Sequence, residues 1–234
     1  MSYDYCIVGA GLAGVVLAER LANQKNKKVL LIEKREHCGG NLYDEYDVDG
    51  ILIHRYGPHF FRTDEIAVWQ YLSKFTEWHH YEHKVKSNVI GMEVPFPINL
   101  DTYNAIFNDN LTSIEFKRWL ESNYFTDSPQ NAEESIINQV GEYLYELFFK
   151  NYTLKQWGQH PKELKADTVR RVPVRVDRES RYQLSRYQGI PIHGYTHMIK
   201  KMISNKNIHL MLNVDYKEVI DKFDFDFLIY TGPL

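Results

Sequence analysis

Three glycines spaced G-x-G-x-x-G, at Gly9, Gly11 and Gly14, stand between an apolar run and a helical pattern. No other stretch of the chain limits its fold so tightly. Tyr5 to Val8 reads as a buried strand, Leu12 to Asn23 as a helix, and Val29 to Ile32 as a second strand that delivers Glu33. A strand, a glycine turn, a helix and a second strand ending in an acid make a βαβ unit of the dinucleotide-binding kind. Gly9 allows the tight turn, Gly11 lets backbone approach a pyrophosphate, and Gly14 lets the helix pack closely on the strand. The diphosphate is expected on the free N–H groups that open the helix, where the dipole favours an anion. Glu33 is placed to accept hydrogen bonds from a ribose hydroxyl and to repel a 2′-phosphate. Ala18 and Leu21 fall where helix residues face a sheet.

The extension from Arg35 to Asn41 places a second pair, Gly39-Gly40, just beyond the acid. In this the chain resembles flavoproteins of the glutathione-reductase type, which implies FAD rather than NAD. The fold class expected is therefore α/β, a Rossmann-like FAD-binding domain carrying an inserted helical domain and an antiparallel sheet on the substrate side.

Composition excludes several functions. The net charge of −3 leaves no bulk attraction to nucleic acid or anionic membranes. The two cysteines, Cys6 and Cys38, match neither a zinc site nor a redox pair, so a reducing compartment is expected. The N-terminus enters the first strand without a leader pattern, and no apolar run approaches a membrane span, so a cytoplasmic location is expected. The triplet of imidazoles at His79, His80 and His83 predicts no metal site. Consecutive strand residues point to opposite faces, and no matching ligand pair follows.

Further along, Thr63 or Asp64 is expected to cap a helix carrying Ile66, Trp69, Leu72 and Phe75. His83 to Val94 alternates as antiparallel strands around a turn near Gly91, and Pro95-Phe96-Pro97 ends that sheet. Thr112 with Glu115, and Asn131 with Glu134, mark helix starts in a helical insertion. Thr196 is expected in the cap of an amphipathic helix that buries Met198, Ile199 and Met202. The boundaries that follow are 1–75 and 192–234 for the FAD-binding domain, 76–99 and 171–191 for the antiparallel sheet elements, and 100–170 for the helical insertion. The halt at Leu234, directly after a strand and a Thr-Gly turn, predicts a longer parent protein. Arginines between 170 and 186, set beside Tyr182 and Tyr187, suit an anionic ring-bearing small ligand better than nucleic acid.

Several strings carry a more specific resemblance: His54-x-Tyr-Gly-Pro-His59-x-Phe, Tyr152-x-x-x-Gln-Trp157-Gly, Arg171-x-Pro-Val-Arg175, Tyr182, Tyr187-Gln-Gly-x-Pro, Gly194-Tyr-Thr and the closing Tyr-Thr-Gly-Pro. With the glycine motif, they make the chain similar to the bacterial UDP-galactopyranose mutase family along its whole length. That resemblance implies an isomerase interconverting UDP-galactopyranose and UDP-galactofuranose for surface glycans, through a reduced-flavin N5–sugar adduct and without net redox change. It implies reduced FAD, an external reductant and, for the full-length protein, a homodimer.

Carried over by position, the cofactor-binding residues are Gly9, Gly11, Leu12, Ala13, Gly14, Glu33, Lys34, Gly39, Gly40 and Asn41, with His54, Tyr56 and Gly57 beyond them. The resemblance places Arg171 on the UDP diphosphate and Trp157 near substrate and flavin. It places Tyr152 and Tyr182 along the uridine and diphosphate path, His83 on the sugar nucleotide and His59 beside the isoalloxazine. His59, Arg171 and Trp157 are the expected catalytic residues. Arg62 departs from the family pattern, which has His there, and the family's later site residues fall past Leu234. Two alternatives share the N-terminal unit: a FAD amine-oxidase-like enzyme, and a non-catalytic protein like the GDP-dissociation inhibitors.

Overall fold

The computed structural model describes residues 2–169 and 173–232. It divides the chain into two compact units, one formed by Met1–Tyr81 with Ser185–Leu234 and the other by Glu82–Leu184.

The first unit begins as expected. Strand β1 (Ser2–Val8), helix α1 (Leu12–Lys25) and strand β2 (Val29–Ile32) form the βαβ unit, with β1 and β2 parallel and Tyr5 opposite Val29. Every residue of β2 is buried, which suits a parallel strand covered on both faces. Ala18 is fully buried, and Leu21 packs at the edge of the same core. Helix α1 ends at Asn26 in the left-handed conformation, a common helix stop.

A ribbon of β3 (Asp44–Tyr46) and β4 (Leu52–His54) follows, then β5 (Phe61–Thr63), α2 (Ile66–Leu72) and β6 (Trp78–His80). The N-cap of α2 is Glu65, so neither residue expected there fills that position. Both side chains have other partners. Thr63 Oγ1 accepts from the Glu65 N–H at 3.1 Å, and Asp64 Oδ1 accepts from the Arg186 N–H at 2.7 Å.

The second unit opens with an antiparallel hairpin, β7 (Val85–Val89) and β8 (Met92–Phe96). The strand ends at Phe96, within the expected Pro95-Phe96-Pro97 segment. Helices α3 (Leu100–Phe107), α4 (Ser113–Ser122), α5 (Ala132–Tyr145) and α6 (Asn151–Trp157) come next. Thr112 and Glu115 close the expected capping box on α4. Asn131 caps α5, but Glu134 reaches back one residue further, to the Gln130 N–H. Gly141 breaks α5 at φ 77°, and its missing side chain leaves room for the Asn123 amide. The core here joins Val94, Ile98 and Tyr103 to Phe116, Ile136, Val140 and Leu144.

The chain then returns to the first unit through β9 (Tyr187–Pro191), α7 (Tyr195–Met202), β10 (Ile208–Met211) and β11 (Asp224–Tyr230). The parallel sheet runs β10-β2-β1-β11, while β9 lies between β5 and β6 in a separate antiparallel sheet. The strand elements expected over 76–99 and 171–191 thus divide between the units, because β6 and β9 pair with β5 and the β7–β8 hairpin packs on the helices. Met198, Ile199 and Met202 are buried against α1 and the sheet core. Among the described residues no helix is long and apolar enough to cross a membrane.

Candidate functional site

Two cavities gather some of the residues singled out in the sequence, while Leu12, Ala13, Gly14, Gly39 and His59 line neither. In the first unit, a cavity of about 510 Å³ is lined by Gly9, Gly11, Glu33, Lys34, Gly40 and Asn41. The backbone explains its shape. Gly9 adopts φ 101°, and its N–H donates to the Ile32 carbonyl at 2.7 Å, joining the turn to the end of β2. Gly11 and Gly39 bridge in parallel, and a Cβ on Gly40 would stand 3.1 Å from the Gly11 Cα. Two glycine-bearing segments therefore meet backbone to backbone at the N-terminus of α1. Gly14 serves packing, since a Cβ there would stand 1.9 Å from the Gly9 carbonyl oxygen.

Glu33 is nearly buried, and each carboxylate oxygen already accepts one backbone N–H, from Ala10 and from Arg35, both at 2.9 Å. These bonds hold the carboxylate still while leaving lone pairs for a further donor. Thr231 and Gly232, of the closing Tyr-Thr-Gly-Pro string, also line the cavity, with Val214 and Tyr216, which were not singled out in the sequence. The parallel β1–β11 pairing brings Thr231 there, and its N–H and hydroxyl both bond to the Val8 carbonyl.

His54, Tyr56 and Gly57 lie outside this cavity. Tyr56 hydrogen-bonds His37 Nε2 through its hydroxyl at 2.8 Å, and Arg35 lies over its ring. His54 Nδ1 accepts the His59 N–H at 2.8 Å, so the Nδ1 lone pair is unprotonated. Burial pushes the His54 pKa down, with the Asp44 carboxylate opposing and His59 reinforcing the shift. His59 Nδ1 lies 2.9 Å from the Gly57 carbonyl, which can only accept, so Nδ1 carries the ring proton. The loop from Gly57 to His59 is thus held by two imidazoles acting in opposite hydrogen-bond senses.

In the second unit, a cavity of about 600 Å³ is lined by His83, Phe148, Phe149, Tyr152, Trp157 and Tyr182, among others. Four residues carried over from scattered positions, His83, Tyr152, Trp157 and Tyr182, converge there. Tyr152 and Trp157 lie on α6 five residues apart and are 64% and 56% exposed. Tyr182 donates its N–H to the His83 carbonyl at 2.7 Å, and their rings meet edge to face. Aromatic faces with a few polar edges suit a base and a sugar. Arg171, expected on the diphosphate, lies outside the described residues.

Arg170 also lies outside the described residues, and Arg178 and Arg181 are engaged by protein carboxylates. Arg178 pairs with Asp101, and Arg181 with Glu82 at 2.9 Å and Glu179 at 2.6 Å. Arg181 holds the Glu179 carboxyl at about 2, well below its ordinary value. Burial pushes both thiols up, Cys6 to about 11. A larger cavity, about 720 Å³ between β3 and α7, contains none of the expected site residues, so size alone does not select a site.

Residues 7–75 match the family model of an NAD(P)-binding Rossmann-like domain, and residues 147–234 match that of UDP-galactopyranose mutase. Over 231 residues the chain is 38% identical to the probable UDP-galactopyranose mutase of Klebsiella pneumoniae, covering 97% of this chain and 60% of that protein. The chain is thus similar to UDP-galactopyranose mutases over nearly its whole length. The dTDP-fucopyranose mutase of Escherichia coli is 35% identical over 236 residues, covering 97% of this chain and 62% of that protein. The fold matches a crystal structure of reduced UDP-galactopyranose mutase at a TM-score of 0.66 and 22% identity, covering 89% of this chain and 48% of that one. The chain thus spans about three-fifths of the length of these curated mutase relatives.

Proposed function

We propose that this chain is the cofactor-binding and nucleotide-binding part of a UDP-galactopyranose mutase, an isomerase interconverting UDP-galactopyranose and UDP-galactofuranose without net redox change. The observation that carries the reading is the convergence of His83, Tyr152, Trp157 and Tyr182 on one cavity. FAD is the cofactor that fits the first unit. The Gly11–Gly40 approach leaves a side-chain-free cradle at a helix N-terminus, and the fixed Glu33 carboxylate lines the same cavity. When bound and reduced, the flavin supplies the nucleophile for exchange at the anomeric carbon.

The protein's own residues bind, orient and exclude water. Glu33 accepts from the adenosine ribose, and the open backbone at Gly9 and Gly11 receives the diphosphate of the cofactor. In the second unit Tyr152 and Tyr182 would line the uridine and diphosphate path, Trp157 would pack near substrate and flavin, and His83 would contact the sugar nucleotide. Arg171, through its matching position, supplies the fixed cation for the UDP diphosphate. His59, held by His54 and Gly57, would sit by the isoalloxazine. The chain carries one dinucleotide fingerprint, which favours a flavin reduced by an external donor. Homodimerisation of the full-length protein rests on the resemblance alone.

The test uses the full-length protein loaded with FAD, reduced with dithionite and given UDP-galactofuranose or dTDP-fucofuranose, with products separated by chromatography. Conversion of the UDP sugar is expected. Preferential turnover of the dTDP sugar would move the assignment to the E. coli relative's substrate. Binding of neither FAD nor UDP would sink it. Oxygen uptake with amines is the result that favours an oxidase on the same fold.

A further inference from the structure

Arg175 stands in a string that resembles a ligand-binding signature, yet its guanidinium faces protein carbonyls. Its Nη1 donates to the carbonyls of Glu179 and Arg181, and its Nη2 donates to the Tyr182 carbonyl at 3.2 Å. Its own backbone is anchored, since the Arg175 N–H donates to the Ile98 carbonyl at 3.0 Å, next to α3. We propose that Arg175 is a positioning residue that sets the Tyr182 ring in the nucleotide cavity by clamping the carbonyls of the turn preceding and including Tyr182. This rests on the proposed function only for the identity of the ligand, not for the clamp.

The geometry has the parts such a device needs. The Arg175 backbone is fixed to the β8–α3 junction, and its guanidinium spans the Arg181 and Tyr182 carbonyls, which a planar fork reaches and a single ammonium matches poorly. Tyr182 is then fastened on its far side by its N–H to the His83 carbonyl at 2.7 Å, beside the isolated bridge of Lys84 to Arg181. Arg181 ties the same turn to Glu82 and Glu179. Both His83 and Tyr182 line the cavity. Loosening the clamp therefore shifts two cavity walls at once without removing either side chain.

The test combines amide hydrogen exchange with UDP titration in the chain carrying Arg175→Lys, Arg175→Leu, Tyr182→Ala, or both changes together. In Arg175→Lys and Arg175→Leu alike, exchange at the Tyr182 amide is expected to rise at least about tenfold while α4 and α5 amides hold their protection. UDP affinity falls about tenfold in each, retained charge giving no rescue. In the Tyr182→Ala background, Arg175→Lys causes no further loss of affinity. Normal Tyr182 exchange in Arg175→Lys overturns the proposal, as does an equal affinity loss in both backgrounds. A wild-type chain that binds no UDP, with Tyr182 exchange still raised by the substitutions, leaves the clamp standing and removes the mutase reading instead.

Discussion

Asp44 caps a helix that begins 151 residues later in the chain. Its carboxylate accepts the Tyr195 N–H at 2.6 Å and the Thr196 N–H at 2.8 Å, while the Thr196 hydroxyl donates to the Asp44 carbonyl at 2.7 Å. Asp44 is almost completely buried, and Gly194 gives it room, since a Cβ there would stand 2.7 Å from Asp44 Oδ2. The carboxylate therefore satisfies two free N–H groups of α7 and meets the positive end of its dipole.

Replacing Asp44 by Ala leaves those donors buried without partners. A capping loss of about 1 kcal/mol and desolvation of about 1–3 kcal/mol predict destabilisation of about 2–4 kcal/mol. Urea denaturation followed by circular dichroism measures it. A loss under half a kcal/mol, within the range of ordinary surface substitutions, would show that water replaces the carboxylate readily.

Why α7 was legible and its cap was not follows from the same residues. The spacing of Met198, Ile199 and Met202 reports a buried face whatever lies opposite, so the helix reads from the sequence. Thr196 reads as a cap because threonine commonly caps locally, but here its hydroxyl serves Asp44 and the N-cap is Gly194. The β1–α1–β2 unit was legible because glycines, apolar runs and the acid are close in sequence. Tyr216, which lines the same cavity, lies between β10 and β11, far from the glycine motif in the chain, and carries no local signal. Arg175 shows the opposite failure: charge is visible in a sequence, but whether it meets a ligand or carbonyls depends on the turn it sits beside.

The hairpin between β7 and β8 turns on Ile90 and Gly91, both at positive φ, 48° and 81°. Two such residues make a type I′ turn, in which Asn-Gly is favoured and a β-branched residue is strained. Ile90 is mostly exposed, so it contributes little burial to offset that strain. Ile90→Asn is expected to stabilise the second unit by about 1 kcal/mol, read as a raised urea midpoint with an unchanged slope. A lowered midpoint would mean that the isoleucine packs usefully on its neighbours.

Gly40 tests the cradle. An alanine there would adopt φ 58° and bring its Cβ to 3.1 Å from the Gly11 Cα. Separating the two segments by a few tenths of an ångström is expected to weaken ADP or FAD binding about tenfold, equivalent to about 1.4 kcal/mol. Isothermal titration reads the change. Gly50→Ala is the control, because Gly50 also has positive φ, 78°, but nothing lies within 4 Å of its Cβ position. Equal losses of nucleotide affinity in both variants would mean that backbone strain alone, and not the Gly11–Gly40 approach, governs binding.

His54 makes the His59 loop sensitive to acid. Its Nδ1 must stay unprotonated to accept the His59 N–H, and burial lowers its pKa in the folded protein. The charged and titratable groups around it are Asp44 on β3, His59 in its own loop and Tyr195 on α7, whose ring meets it edge to face. A base whose folded pKa lies below its unfolded value, about 6.5, contributes stability that is fully present above that pH. This contribution is lost as pH falls through the lower folded value, where protonation at Nδ1 sets two donors against each other. Exchange of the His59 amide is therefore expected to accelerate below about pH 6.5, beyond the intrinsic trend of free peptides. His54→Asn keeps an acceptor at nearly the same place without a titration, so the acceleration should vanish while the bond persists above neutrality. An acid response that survives His54→Asn would assign the sensitivity to another group.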